Sequence, residues 1–219
     1  ADALPVVVNS GNDFVQCVTV EELNAIWAPD STVSRWSDVR PEWPDEEIAL
    51  FGPGTDSGTF EYFTEAVNGE AGAIRTDFFP SEDDNVLVQG IQSDPFAMGY
   101  FGFAYYAENS GRVKALQVDS GDGCVEPSAA NIESNTYTPL SRPLFVYVSA
   151  VAAERPEVQE FVRFYLDDFN RELIADTGYA TYADDVYAAT LQRFEDRVTG
   201  SAFLDFQPGD SVLDAVRGD

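Results

Sequence analysis

Histidine is absent from this 219-residue chain, lysine occurs once, at Lys114, methionine once, and cysteine twice, at Cys17 and Cys124. Without histidine there is no imidazole base for a Ser-His or Cys-His nucleophile and no His-ligated metal site. Two cysteines alone build no zinc cluster; an even count permits one disulfide without demanding it. No apolar run approaches the twenty residues a bilayer-crossing helix needs. Basic residues are scarce too: 12 Lys and Arg stand against 39 Asp and Glu, a formal net charge of −27. Such a surface repels nucleic acid and anionic lipid, so neither is an expected partner.

Apolar residues make up 44% of the chain, and 16 Phe, 10 Tyr and 3 Trp supply packed cores, so the chain reads as globular despite its charge. Its length fits one large domain or two small ones. The plain reading of the charge is a soluble acidic protein. The sharper reading is adaptation to high salt, where screening relieves self-repulsion. Either way, an anion bound by this chain needs local shielding by backbone dipoles and one or two Arg.

The stretch Gly52-Pro53-Gly54-Thr55-Asp56-Ser57-Gly58-Thr59-Phe60 is the most informative. It follows the apolar run Ile48 to Phe51, read as a buried strand, and precedes Phe60, Phe63, Ala66 and Val67, which recur at helical spacing. The pattern is strand, glycine-rich turn, helix start, with Ser57 or Asp56 as N-cap. A helix N-terminus presents unpaired N–H groups and the positive end of the macrodipole, which together accept an anion. Ser57 and Thr59 add hydroxyl donors. A plain helix cap explains the motif equally well. No Lys follows the last Gly, so it is not a Walker A loop, and the G-x-G-x-x-x-G spacing is not a dinucleotide fingerprint.

Elsewhere, Val6 to Val8 reads as a strand and Thr19-Val20-Glu21-Glu22 as a capping box opening a helix with Leu23, Ile26 and Trp27 inward. Ala28 to Pro44 reads as a loop pinned to the core by its tryptophans. Ile74 to Asp84 reads as a polar connection, its acidic run Glu82-Asp83-Asp84 fitting a helix N-terminus better than a calcium loop. Asn85 to Gln92 continues as a helix with Val86, Val88 and Ile91 on one face. Ala97 to Phe103 reads as a strand whose glycines admit a ring or another backbone; Ala104 to Asn109 as a short helix; Val113 to Val118 and Leu144 to Val148 as strands. Pro156 to Ile174 reads as one helix with Val158, Phe161, Val162, Tyr165, Leu166 and Phe169 inward, and Val186 to Val198 as another. The stretch from Ser201 is weakly patterned. Alternating strands and helices predict a mostly parallel α/β sheet, with ligands at the carboxyl ends of its strands. The chain opens directly on a strand pattern, so a processed or truncated N-terminus is expected.

The ordered set GPGTDSGTF (52–60), MGYFGFAYY (98–106), YTPLSRPLFVYV (137–148) and CVTVEEL (17–23) resembles the PstS/SphX-type phosphate-binding proteins of ABC transporters, a branch of the periplasmic-type solute-binding proteins. The likeness runs from about Val6 to about Phe203. It implies an α/β, type II periplasmic-binding-protein-like fold of two lobes with phosphate held between them. By that likeness residues 9–138 form the second lobe, with the anion-binding turn. Residues 1–8 and 139–219 form the hinge strands and the C-terminal part of a first lobe left incomplete, because the family's N-terminal segment, with its own phosphate loop and carboxylate, has no counterpart here.

The resemblance implies a site of Thr55, Asp56, Ser57, Gly58 and Thr59. Many family members carry an Arg four residues before the motif serine, where this chain has Pro53. Arg75 is the first candidate to replace it; Arg142 at the hinge is the second, and a structural ion pair is the weightier reading of Arg142. The extracytoplasmic setting of the family implies a Cys17–Cys124 disulfide. The implied function is capture of inorganic phosphate, without cofactor and without chemistry on it, for the membrane subunits of a transporter. The protein is expected in the periplasm or outside the cell, where a lipid anchor on the family's N-terminal segment would hold it at the membrane, and as a monomer at full length. Competing readings are another oxyanion such as sulfate and, behind it, a serine hydrolase using Ser57, which lacks a neighbouring base.

Overall fold

A computed structural model describes residues 1–218. In chain order the elements are β1 (Asp2–Ala3), β2 (Val6–Asn9), β3 (Cys17–Thr19), α1 (Val20–Trp27), α2 (Trp36–Val39), β4 (Ala49–Pro53), α3 (Gly58–Asn68), β5 (Phe79–Ser81) and α4 (Asp84–Ser93). There follow β6 (Ala97–Tyr100), α5 (Phe103–Asn109), β7 (Val113–Ala115), β8 (Gln117–Asp119), β9 (Cys124–Val125), α6 (Ala129–Glu133) and β10 (Ser141–Arg142). The last helices are α7 (Pro156–Leu166), α8 (Arg171–Ala175), α9 (Asp184–Glu195) and α10 (Val212–Arg217).

A five-stranded sheet in the order β5-β4-β6-β2-β7 carries the fold. β4 runs parallel to β5 and β6, whereas β2 runs antiparallel to β6 and β7. The sheet is therefore mixed, with β2 alone reversed, rather than wholly parallel. The valines of β2 explain its interior place: Val6 and Val8 face one hydrophobic cluster and Val7 the other, as a period of two requires of a strand buried on both faces. On the first face Phe63 of α3 stacks on Tyr100 of β6 with centroids 3.6 Å apart, and Trp27 of α1 meets Tyr100 edge-on at 5.2 Å. On the other face Leu87, Val88 and Ile91 of α4 cover the sheet. A Cβ at Gly99 would lie 2.5 Å from the Phe51 carbonyl oxygen, so the close approach of β6 to β4 requires glycine there.

α1 starts on the expected capping box: Thr19 Oγ1 accepts the Glu22 N–H at 3.1 Å and Glu22 Oε2 accepts the Thr19 N–H at 2.9 Å. Trp36 and Trp43 are buried, pinning the loop after α1, although Trp36 to Val39 form a helical turn within it. A second sheet, β3-β8-β9, is closed by the Cys17–Cys124 disulfide, with sulfurs 2.02 Å apart. β1 pairs with β10, Asp2 opposite Arg142, and β10 leads from the body of residues 1–140 into the segment that carries α7 to α10.

Several expectations fail, most of them where pairing with distant backbone decides the outcome. Val113 to Val118 is two strands: β7 ends at Ala115, Leu116 N–H bonds the Val6 carbonyl, and the chain crosses into the second sheet as β8. The connection from Ile74 to Asp84 contains β5, paired to β4 despite Pro80. Ala97 to Phe103 stops as a strand at Tyr100, and Phe103 already belongs to α5. Val86 is exposed, and Leu87 takes the inward place on α4. Leu144 to Val148 is no strand, because no backbone among the described residues pairs with it; Tyr147 is 85% exposed. Pro156 to Ile174 breaks at Asp167, and Phe161, Tyr165 and Phe169 face outward while Val162 is buried. The weakly patterned terminus contains α10, packed on α9.

Candidate functional site

The carboxyl ends of β4, β5 and β6 lie on one edge of the sheet, and each is followed by a helix start: α3, α4 and α5 respectively. The glycine-rich turn occupies this edge. The β4–β5 ladder continues one step past the strand, where Gly54 N–H bonds the Ser81 carbonyl at 3.2 Å. Ser57 N–H then returns to the Gly54 carbonyl at 3.1 Å. Ser57, not Asp56, is the N-cap of α3: its backbone is extended (φ −94°, ψ 129°) and its Oγ accepts the Thr59 N–H at 3.2 Å.

These bonds decide which groups are open. Thr55, Asp56 and Gly58 are exposed, and Ser57 and Thr59 are half-buried. Among the described residues the Gly58 N–H has no acceptor, whereas the Ser57 and Thr59 N–H groups are taken by Gly54 and by Ser57 Oγ. The Ser57 hydroxyl hydrogen stays available to donate outward, because its oxygen serves the cap as an acceptor. The Asp56 carboxylate makes no hydrogen bond among the described residues, while its N–H faces Glu82 Oε1 at 3.4 Å. Gly54 leaves the room for that carboxylate: a Cβ there would fall 1.9 Å from Glu82 Oε1.

The structure does not bring Arg75 to this turn. Its Nη1 donates to the carbonyls of Ile26 (2.8 Å) and Val33 (2.7 Å), and its Nε and Nη2 hold both carboxylate oxygens of Asp77. Its own N–H bonds the Trp27 carbonyl, which also accepts from Asn68 at the far end of α3. Arg75 thus lies one helix length from Ser57, on the order of 16 Å for the residues of α3. It neutralises the carbonyl end of α1, whose last turn carries no basic residue of its own.

Arg142 is the arginine at the turn. Nη1 donates to the Gly58 carbonyl at 3.1 Å, Nη2 pairs with Asp2 Oδ2 at 3.2 Å, and the guanidinium lies 4.8 Å over the Tyr62 ring. The Tyr62 hydroxyl donates toward the carbonyls of Pro139 and Ser141, at 2.7 and 2.8 Å, and burial pushes its pKa up to about 12. The segment leading into β10 is thereby fastened to the first turns of α3. Burial pushes the Asp2 carboxyl above its usual range, against the opposing pull of Arg142. Across the edge, Asp83 caps α4 through the Asn85 N–H, and Asp84 is pushed up to about 6, first by burial and then by Asp83 and Glu82. Sequence reasoning missed Glu82 because Phe79-Pro80-Ser81 does not advertise a strand, and only that strand sets Glu82 beside the turn.

Lys114 stands on β7, three strands from β4, and its Nζ bonds the carbonyls of Asn12 and Val15. It lines a crevice of about 450 Å³ with Gln16, Gln117, Glu126 and Ser128 on that far side of the sheet. Among the described residues no group of His, Cys, Asp or Glu is arranged to hold a metal ion.

The PBP superfamily domain matches residues 1–168. Protein SphX of Synechocystis sp. is 46% identical over 221 aligned positions, covering 100% of this chain and 64% of that protein. Phosphate-binding protein PstS of Staphylococcus saprophyticus is 32% identical, covering 89% of this chain and 60% of its own length. The chain therefore spans less than two thirds of these relatives. Among solved structures, a possible phosphate binding protein from Planctomyces limnophilus superposes with a TM-score of 0.80 at 48% identity, over 90% of this chain and 70% of that one. The mixed sheet, the helix starts gathered at its edge and these relatives together place the chain: it belongs to the PBP superfamily, among proteins named SphX and PstS.

Proposed function

We propose that this chain is the larger part of an extracytoplasmic binding protein that captures inorganic phosphate and delivers it to an ABC transporter, leaving the ligand chemically unchanged. The observation that carries the reading is the Ser57-capped start of α3, with its open Gly58 N–H and the hydroxyls of Ser57 and Thr59, in a chain whose relatives are named for phosphate binding. The ligand groups are Thr55, Asp56, Ser57, Gly58 and Thr59. The turn has the chemistry an oxyanion needs: helix-end dipole, amide and hydroxyl donors, and glycine where the anion comes close.

In this reading residues 9–138 form the second lobe, and residues 1–8 and 139–219 supply the hinge strands and the C-terminal part of the first lobe. Residues from about 143 belong to the first lobe. The rest of that lobe, in the part of the family's length outside these 219 residues, covers the apolar surface of Leu144, Phe145, Val146 and Tyr147. It also supplies further donors to the anion, so the 219 residues alone bind phosphate weakly. The net charge of −27 fits a protein working in high salt, and the complete protein acts as a monomer. Calorimetry on the full-length protein tests the assignment: phosphate binds tightly, sulfate does not compete at equal concentration, and Ser57→Ala weakens phosphate. Preference for sulfate, or no heat with either ion, contradicts it.

A further inference from the structure

An anion at the start of α3 meets an unfavourable field. The protein carries −27, and Asp56, Glu82, Asp83 and Asp84 crowd the same sheet edge. One helix end, equivalent to about half a charge, does not offset that. A cation in contact with the turn would offset that field, and Arg75 and Lys114 are committed elsewhere.

Arg142 is the cation placed to do so. Among the described residues no other Arg or Lys hydrogen-bonds residues 54–59. Gly58 has no side chain, and the point its Cβ would occupy is 3.9 Å from Arg142 Nη2, so the guanidinium lies against the residue whose N–H is open. Its commitments are partial. One Nη1 hydrogen goes to Gly58 and one Nη2 hydrogen to Asp2, each a single contact above 3.0 Å rather than a bidentate pair. Nε is buried without a partner among the described residues. A planar guanidinium with uncommitted donors suits two oxygens of a tetrahedral anion.

We propose, resting on the phosphate reading above, that Arg142 is the cation of the oxyanion site and that Asp2 competes with the bound anion for it. The connecting segment at β10 then carries a ligand contact as well as a hinge. Removing Asp2 frees positive charge for the anion; removing Arg142 takes it away. A purely structural ion pair makes the opposite demand, since losing either partner harms the same contact.

The test uses full-length protein and inorganic phosphate, measured by calorimetry over a series of salt concentrations. Arg142→Gln is expected to weaken binding at least tenfold and to flatten the salt dependence of affinity. Arg142→Lys is expected to fall between the two, and Asp2→Asn to tighten binding severalfold. Arg142→Gln within twofold of the parent, or Asp2→Asn weakening binding as Arg142→Gln does, overturns the inference. If Ser57→Ala still weakens binding in that case, the phosphate reading stands and only Arg142 falls. A parent protein that binds no phosphate removes both.

Discussion

Arg75→Ala separates structure from binding. In the folded protein the guanidinium satisfies the carbonyls of Ile26 and Val33 from a position only 9% exposed. Two charge-assisted hydrogen bonds to carbonyls are lost, each worth roughly 1.5–3 kcal/mol, and the acceptors are left in a site with little water. The bidentate contact with Asp77 adds less than about 1 kcal/mol, because that carboxylate is largely exposed. The end of α1 also loses the charge opposing its dipole, roughly 0.5 kcal/mol. The expected total is about 4–7 kcal/mol, read as a lower urea midpoint with an unchanged slope. Arg75 hydrogen bonding holds the Asp77 carboxyl below its usual range, so that resonance should also titrate at higher pH in the variant. Phosphate affinity, measured where the variant is still folded, should match the parent. A stable variant with impaired phosphate binding refutes the placement of Arg75 away from the turn.

Three further outcomes are expected. The disulfide closes a loop of 107 residues, for which chain entropy gives about 4–5 kcal/mol; Cys17→Ser with Cys124→Ser should lose most of it in denaturant melts, and a loss below about 1 kcal/mol contradicts this. Asp84 titrates near 6 in the folded protein, raised from 3.8, so its contribution is present below pH 4 and is lost as pH rises through 6. Asp84→Asn should therefore stabilise the protein at pH 7.5 by about 1 kcal/mol after solvent screening, and flatten the pH 4–6 slope; destabilisation at pH 7.5 contradicts the sign. With a net charge of −27, the melting temperature should climb with potassium chloride into the molar range, and a flat or falling series argues against adaptation to salt.

What was legible in the sequence is what neighbours along the chain decide. The Thr19–Glu22 box, the Ser57 cap and the double-faced valines of β2 depend on residues a few positions apart or on simple periodicity. Leu144 to Val148 has strand composition, but a strand exists only against another backbone, and none of the described residues provides one. The misplacement of Arg75 has a topological cause. α3 carries the chain away from the strand-end crevice, and a second strand, β5, is needed to bring it back. The residues returned are Ser81 to Asp84, so Glu82 reaches the turn and Arg75 stays behind. Arg142 reaches the same turn from 84 residues away along the chain, through pairing of β10 with β1 that no local pattern encodes.

The central claim is that the first turn of α3 holds the oxyanion, and amide chemical shifts of the ¹⁵N-labelled 219-residue chain under phosphate titration test it most directly. The account predicts saturable shifts, at millimolar phosphate, greatest for Gly58 and its neighbours from Thr55 to Phe60, and lost in Ser57→Ala. Shifts concentrated in the crevice between Gln16 and Lys114, or none at this turn while others saturate, would contradict it.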